Sequence, residues 1–348
     1  MESTVNSGFF PIFVVMILLT GSTGLLGSRL LFDLVSKGYK VRAMRREKSR
    51  MNCVDYYFSS HPELLQKVEW VNGDVTDIFS LEAALENVTQ VYHCAARVSF
   101  QPSDRDIMHN VNVEGTANVV NACLDKKITK LCFVSSIAAL GRTGTESTID
   151  ETASWKTSKL NSFYAVSKYG AEREVWRGIA EGLNAVIVNP GVIIGPGNWK
   201  TDSSMLFRQV AKGLKFYTAG VTGFVDVKDV SLAMIALMES TVMNERFVLV
   251  GENKPFRDVM DRIADKLGKS RPGIYAGPLL SSFAWKVEFL KWKFTGSKPV
   301  ITKETARSAA GKFYYSGEKI KKMLAFNFTP IENTIDQVAE VFLADQKA

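Results

Sequence analysis

Short apolar runs alternate with amphipathic stretches through the first half of the chain. The runs at 14–20, 40–44, 68–72, 90–93, 131–135 and 185–189 are aliphatic, rich in β-branched residues and barely interrupted by polar ones, so they read as strands buried on both faces. Between them, apolar residues return at three- and four-residue spacing, predicting helices over 24–36, 112–126 and 162–181. Strand and helix in strict alternation predict an α/β fold with a doubly wound parallel sheet. After Asn189 the rhythm breaks at "NPGVIIGPGNWKTDSS", a turn-rich loop, and helices with short strands such as "FYTAG" and "RFVLV" follow. We therefore expect a dinucleotide-sized domain over 13–195, rejoined by 220–250, and a smaller, mostly helical substrate lobe from 196–219 and 251–348. Within "GFVDVKDVSLAMIALMES", Asp226 and Asp229 resemble paired carboxylates, but Asp229 is better read as the N-cap of the helix that follows.

With 348 residues and 46% hydrophobic content, the chain can build one large core or two modest ones. The net charge of +7 comes from 43 Lys and Arg spread without dense runs, which argues against nucleic acid and for small anionic ligands. Cys53, Cys94, Cys123 and Cys132 form no CxxC pair, and His61, His93 and His109 have no metal-ligand spacing. Reduced thiols, a cytoplasmic setting and no bound metal are expected. The apolar stretch "FFPIFVVMILL" is short, contains Pro11 and lacks a basic flank, so no transmembrane segment is expected. Residues 1–12 read as a dispensable extension, with Met16 as the alternative start.

The chemistry begins at Thr20-Gly-Ser-Thr-Gly-Leu-Leu-Gly27, where glycines spaced by three follow a predicted strand and open a predicted helix. Backbone there can approach a pyrophosphate closely, and the helix start offers unpaired N–H groups with the positive end of its dipole. This makes Gly21, Thr23, Gly24, Leu25, Leu26 and Gly27 candidate dinucleotide contacts. At the end of the second strand, where a carboxylate would select an unphosphorylated ribose, stand Arg45 and Arg46. Guanidinium groups attract a 2′-phosphate, so NADP(H) is favoured over NAD(H). Asp74 and Val75, after the third strand, are placed to meet the adenine. In Tyr164-Ala-Val-Ser-Lys168 the spacing of four puts phenol and ammonium on one helix face, where the cation can ease proton exchange by the phenol. Ser135 and Ser136, at the end of the fifth strand, bring hydroxyls toward the same substrate oxygen.

Together "TGSTGLLG", "GDVTD", "VYHCAA", "NVEGT", "FVSSIAALG", "YAVSK" and "NPGVIIGPG" resemble, in order and approximate spacing, the extended short-chain dehydrogenase/reductase superfamily. Its NAD-dependent epimerase/dehydratase family includes nucleotide-sugar epimerases, and the chain is closest in flavour to dihydroflavonol reductases and hydroxysteroid dehydrogenases. The resemblance implies a catalytic set of Ser136, Tyr164 and Lys168, with Lys168 also holding the nicotinamide ribose. It implies that Cys94, Ala95 and Ala96 line the cofactor, that Asn189, Gly191 and Val192 lie beside the nicotinamide, and that Asn112 supports the lysine through a water. Arg46 matches the nucleotide-binding arginine of the reductase side, with Arg45 an added charge. His93 looks like a buried strand histidine. Homodimers are common among such proteins.

Dehydratases of this superfamily carry an Asp-Glu pair directly after the catalytic hydroxyl residue, whereas this chain has Ile137 and Ala138. The expectation is an NADPH-dependent oxidoreductase that reduces a ketone or aldehyde, its small-molecule substrate. The alternatives are a nucleotide-sugar epimerase holding NAD, for which Lys200, Arg208 and Lys212 could grip a diphosphate, and a non-catalytic NADP-binding regulator. Phe283, Trp285, Phe289, Trp292 and Phe294 fall on one predicted helix of the second lobe, where they could line an apolar substrate site or form that lobe's own core and rim.

Overall fold

The computed structural model describes residues 15–141, 148–158, 160–277, 280, 285–287, 292 and 302–346. The expected extension and the aromatic positions Phe283, Phe289 and Phe294 lie outside these residues. A seven-stranded, wholly parallel sheet organises the first half: β1 (Met16–Thr20), β2 (Lys40–Arg45), β3 (Glu69–Asn72), β4 (Gln90–His93), β5 (Lys130–Val134), β6 (Ala185–Pro190) and, much later in the chain, β10 (Glu245–Leu249). Its order is β10-β6-β5-β4-β1-β2-β3. The principal helices are α1 (Leu25–Ser36), α2 (Gly115–Asp125), α3 (Phe163–Ala180), α4 (Val227–Glu239), α5 (Phe256–Lys266) and α6 (Ile331–Asp345).

The apolar runs are continuous because successive residues feed two different cores. Ile17 and Leu19 of β1 join α1 and α4 on one side of the sheet, while Leu18 joins α2 and α3 on the other. Val186 and Val188 against Ala185 and Ile187 repeat this division on β6. A third core, with Phe207, Phe224, Ile263, Ile335 and Phe342, binds α5 and α6 to a small sheet of β7 (Val192–Ile194), β9 (Val221–Asp226) and β11 (Glu252–Pro255). A two-stranded sheet pairs β8 (Phe216–Tyr217) with β12 (Ile274–Tyr275).

Two local expectations are corrected. The N-cap of α4 is Asp226, whose carboxylate accepts the Lys228 N–H, and not Asp229. Asp229 is buried in the first turn and accepts from the Thr329 backbone N–H and hydroxyl, while Asp226 also takes the Thr334 hydroxyl at 2.7 Å. Both carboxylates therefore tie α4 to the segment entering α6. The helix expected over 112–126 begins earlier: an α-helical stretch at Arg105–His109 passes through a π-helical turn at Asn110–Glu114 into α2. Such a turn shifts the register by one residue and turns Asn112 inward. Among the described residues, no helix is long and apolar enough to cross a membrane.

Candidate active site

Strand order reverses between β1 and β4, and in an open parallel sheet the crevice outside the carboxyl ends of such neighbours is where ligands bind. Here those ends run Thr20-Gly21 and His93-Cys94, held together by the Cys94 N–H donating to the Thr20 carbonyl. Gly21 has φ +69°, and a Cβ on it would stand 2.6 Å from the Ala95 nitrogen. Gly24 is the N-cap of α1 and carries no side chain to bond the first amides. Ser22 donates to the Met44 carbonyl, anchoring the turn to β2. The result is a bare helix start pressed against the sheet edge, a cradle that a dinucleotide pyrophosphate fits.

Farther along the edge, Arg45 lies with its guanidinium carbon 5.3 Å from the centre of the Trp70 ring. Its Nε is buried and without a hydrogen-bond partner among the described residues, while Arg46 is exposed just beyond the strand. A donor of that kind beside a free guanidinium suits an anionic ligand. Asp74 accepts both the backbone N–H and the hydroxyl of Thr76, so it shapes a turn. Val75 is buried against α2, where a Cβ on Gly115 would come 2.7 Å from its methyl, and its carbonyl accepts from Asn118.

On α3, Tyr164 and Lys168 share the face turned to the sheet. The Lys168 ammonium is buried, donates to the Val134 carbonyl at 2.7 Å and sits 4.6 Å from the Phe133 ring centre. Burial lowers its pKa to about 8, against the opposing pull of the Glu172 carboxylate. Burial likewise raises the Tyr164 phenol, the neighbouring Ser136 hydroxyl lowers it, and the Asp202 carboxylate raises it. Ser136 also caps the short 3-10 helix Ile137–Leu140 by accepting the Ala138 N–H, so the helix-cap function and the place beside Tyr164 coincide. Ile137 and Ala138 are buried. Phe100 packs edge-on against Tyr164 at 5.9 Å and is part of the lining of a cavity of about 400 Å³ that also includes Phe163, Trp285 and Trp292.

The remaining expected positions surround these. Cys94 and Ala95 are half-buried at the β4 exit and Ala96 is exposed; burial pushes the Cys94 thiol up to about 12, so it stays protonated. Gly191 abuts β9, where a Cβ would meet the Gly223 oxygen at 2.4 Å, and Val192 begins β7. Asn189 is fully buried; its amide nitrogen donates to the Ser136 carbonyl and to Glu172, while its Oδ1 has no hydrogen-bond partner among the described residues. Asn112 donates to the Arg97 carbonyl and to the Ser167 hydroxyl and accepts the Arg97 N–H.

Glu172 escapes a sequence-only reading, and so do the partners of His93, which is the buried strand histidine expected. Glu172, one turn beyond Lys168, accepts from Ser135, Asn189, Arg246 and Trp176; the signal available was a carboxylate continuing the face of Tyr164 and Lys168 at the same spacing of four. His93 lies in a directed chain. Thr116 donates to the Asn112 carbonyl, so its oxygen accepts from His93 Nε2, and His93 Nδ1 in turn accepts from the Thr20 hydroxyl at 2.7 Å. Burial drops the His93 pKa to about 3, keeping it neutral and linking the glycine turn to Asn112.

Comparison with known proteins follows the same outline. The sequence model of the NAD dependent epimerase/dehydratase family matches residues 17–251. The chain is 29% identical to sterol demethylase protein B of Methylococcus capsulatus, over 76% of this chain and 78% of that protein. It is 25% identical to cinnamoyl-CoA reductase 1 of Petunia hybrida, over 92% and 90%. Among solved structures, a dTDP-glucose 4,6-dehydratase of Streptomyces venezuelae with NAD bound superposes with a TM-score of 0.78 at 16% identity, covering 96% of this chain and 98% of the other, which speaks to the fold.

Proposed function

The chain belongs to the NAD dependent epimerase/dehydratase family and is an NAD(P)-dependent enzyme of the extended short-chain dehydrogenase/reductase type, and from that premise we propose that it uses NADPH to reduce a ketone or aldehyde. The observation that carries the proposal is the placement of the Ser136 hydroxyl at the end of β5 beside Tyr164 of α3, one helical turn from the buried Lys168 ammonium. When bound, the nicotinamide cofactor supplies the hydride.

Ser136 and Tyr164 converge on one point, where a carbonyl oxygen accepts from both hydroxyls and develops negative charge between them. Burial keeps the Tyr164 phenol protonated at neutral pH, which suits a group that must donate its proton as the alkoxide forms. The Lys168 ammonium then stabilises the phenolate that is left. Phe100 and the cavity it helps line would exclude water from that proton. Burial of Ile137 and Ala138, where a dehydratase would need its acid pair, favours simple reduction over elimination. Arg45 and Arg46 at the end of β2 favour a phosphorylated ribose, hence NADPH.

The test is NADPH oxidation against a panel of aldehydes, ketones and sugar nucleotides, followed by Tyr164→Phe with the best substrate. Turnover should fall by roughly 10²–10⁴-fold with NADPH affinity nearly unchanged. Retained turnover in Tyr164→Phe would overturn the assignment.

A further inference from the structure

Four donors from four different parts of the chain point at the two carboxylate oxygens of one residue that the roles given above do not use. On Oε2 of Glu172 converge the Ser135 hydroxyl at 2.6 Å and the Asn189 amide at 2.8 Å. On Oε1 converge the Arg246 guanidinium at 3.0 Å and the Trp176 indole at 3.4 Å. Only an ionised carboxylate is acceptor-only on both oxygens; a glutamine would present a donor to two of these donors. Glu172 is 2% exposed, and a carboxylate at that depth is tolerated because a cation faces it. The cation is itself fixed, since Arg246 also donates to the Glu151 and Ala153 carbonyls.

The same contacts grip three consecutive residues at the end of β5. Lys168 donates to the Val134 carbonyl, Ser135 donates to Glu172, and Asn189 donates to both the Ser136 carbonyl and Glu172. The backbone that carries the Ser136 hydroxyl is thus held from one turn of α3. Around the Lys168 ammonium lie Glu172 on its own helix, His93 and Cys94 from β4 and its exit, and the Phe133 ring from β5; Tyr164 stands one helical turn before it, and Arg246, on β10, stands behind Glu172. With His93 neutral and Cys94 a thiol, the Glu172 carboxylate, one helical turn along α3, is the larger of the influences that favour the charged lysine.

We propose that Glu172 is a positioning residue of the reaction: paired with Arg246, it fixes the strand end that presents Ser136 and holds the positive charge on Lys168. The proposal rests on the catalytic roles assigned above to Ser136, Tyr164 and Lys168. A side chain that merely filled space would leave the lysine's protonation untouched, whereas loss of this carboxylate favours the neutral amine.

The experiment is an NMR titration of the Lys168 Cε signal in lysine-labelled protein, assigned by its disappearance in Lys168→Met. Glu172→Gln should lower the Lys168 midpoint by roughly one to two pH units. Because that variant buries Arg246 without a partner and can fail to fold, Glu172→Gln/Arg246→Gln is titrated beside it; with both buried charges removed, the midpoint should still fall. An unchanged midpoint in either folded variant overturns the proposal. The titration needs no substrate, so it is separable from the catalytic assignment: turnover retained by Tyr164→Phe would sink that assignment and leave the lysine titration as it stands.

Discussion

Gly27 sits so near Gly21 that a Cβ on it would stand 2.1 Å from the Gly21 carbonyl oxygen. No backbone strain is involved at Gly27, which is ordinary helix; the requirement is the space in which the first turn of α1 closes over the strand end. Since the obstacle is backbone, relief would demand a shift of the helix start away from the crevice. Gly27→Ala should therefore weaken NADPH binding at least ~10-fold and cost about 1–3 kcal/mol of stability, the usual range for overpacking. Fluorescence titration with NADPH and a denaturant melt measure the two effects. Unaltered binding would show that the turn does not set the pyrophosphate site.

Arg46 lies exposed past the end of β2, beside the half-buried Arg45 on Trp70. Arg46→Asp places a carboxylate where a 2′-phosphate is expected and should lower the NADP-over-NAD affinity ratio by roughly 10-fold or more, a loss of about 1.4 kcal/mol or greater in differential binding. Parallel titrations with the two reduced cofactors give the ratio. An unmoved ratio would mean that Arg46 is simply solvated.

His93 is wholly buried, and its pKa of about 3 lies below the 6.5 of an exposed imidazole. Between these values the unfolded chain binds a proton that the folded chain does not, so folding stability rises with pH through this window. Equivalently, the contribution is present in full above about 6.5 and is lost as pH falls toward 3. By linkage the loss approaches about 5 kcal/mol at the acid end, as an order of magnitude. Denaturant melts from neutral pH downward should show a steeper acid loss for the native chain than for His93→Gln. Parallel slopes for the two would exclude His93 as the cause.

The local motifs were legible because their geometry is short-range. Glycines spaced by three at a strand-to-helix turn, and Tyr164 with Lys168 one turn apart, need only the regular dimensions of strand and helix to find their places. The apolar runs likewise announced strands covered on both faces, since successive residues such as Leu18 and Leu19 had to enter two cores. What failed was short-range in a different way. Asp226 and Asp229 are both credible caps, and the choice fell to Thr329 and Thr334, residues from a distant segment that pack over the start of α4.

By itself the sequence determined the doubly wound sheet, the positions of its first six strands, the glycine turn and the placing of Tyr164 and Lys168 one helical turn apart, because periodicity and residue spacing fix these without reference to the rest of the chain. Only the tertiary structure decided that the returning segment pairs β10 against β6, that the Asn189 nitrogen bonds Glu172, and that Glu172 meets Arg246 across 74 residues. A buried charge acquires its partner from whichever strand the fold brings alongside. That choice is a property of packing in three dimensions, and no local pattern records it.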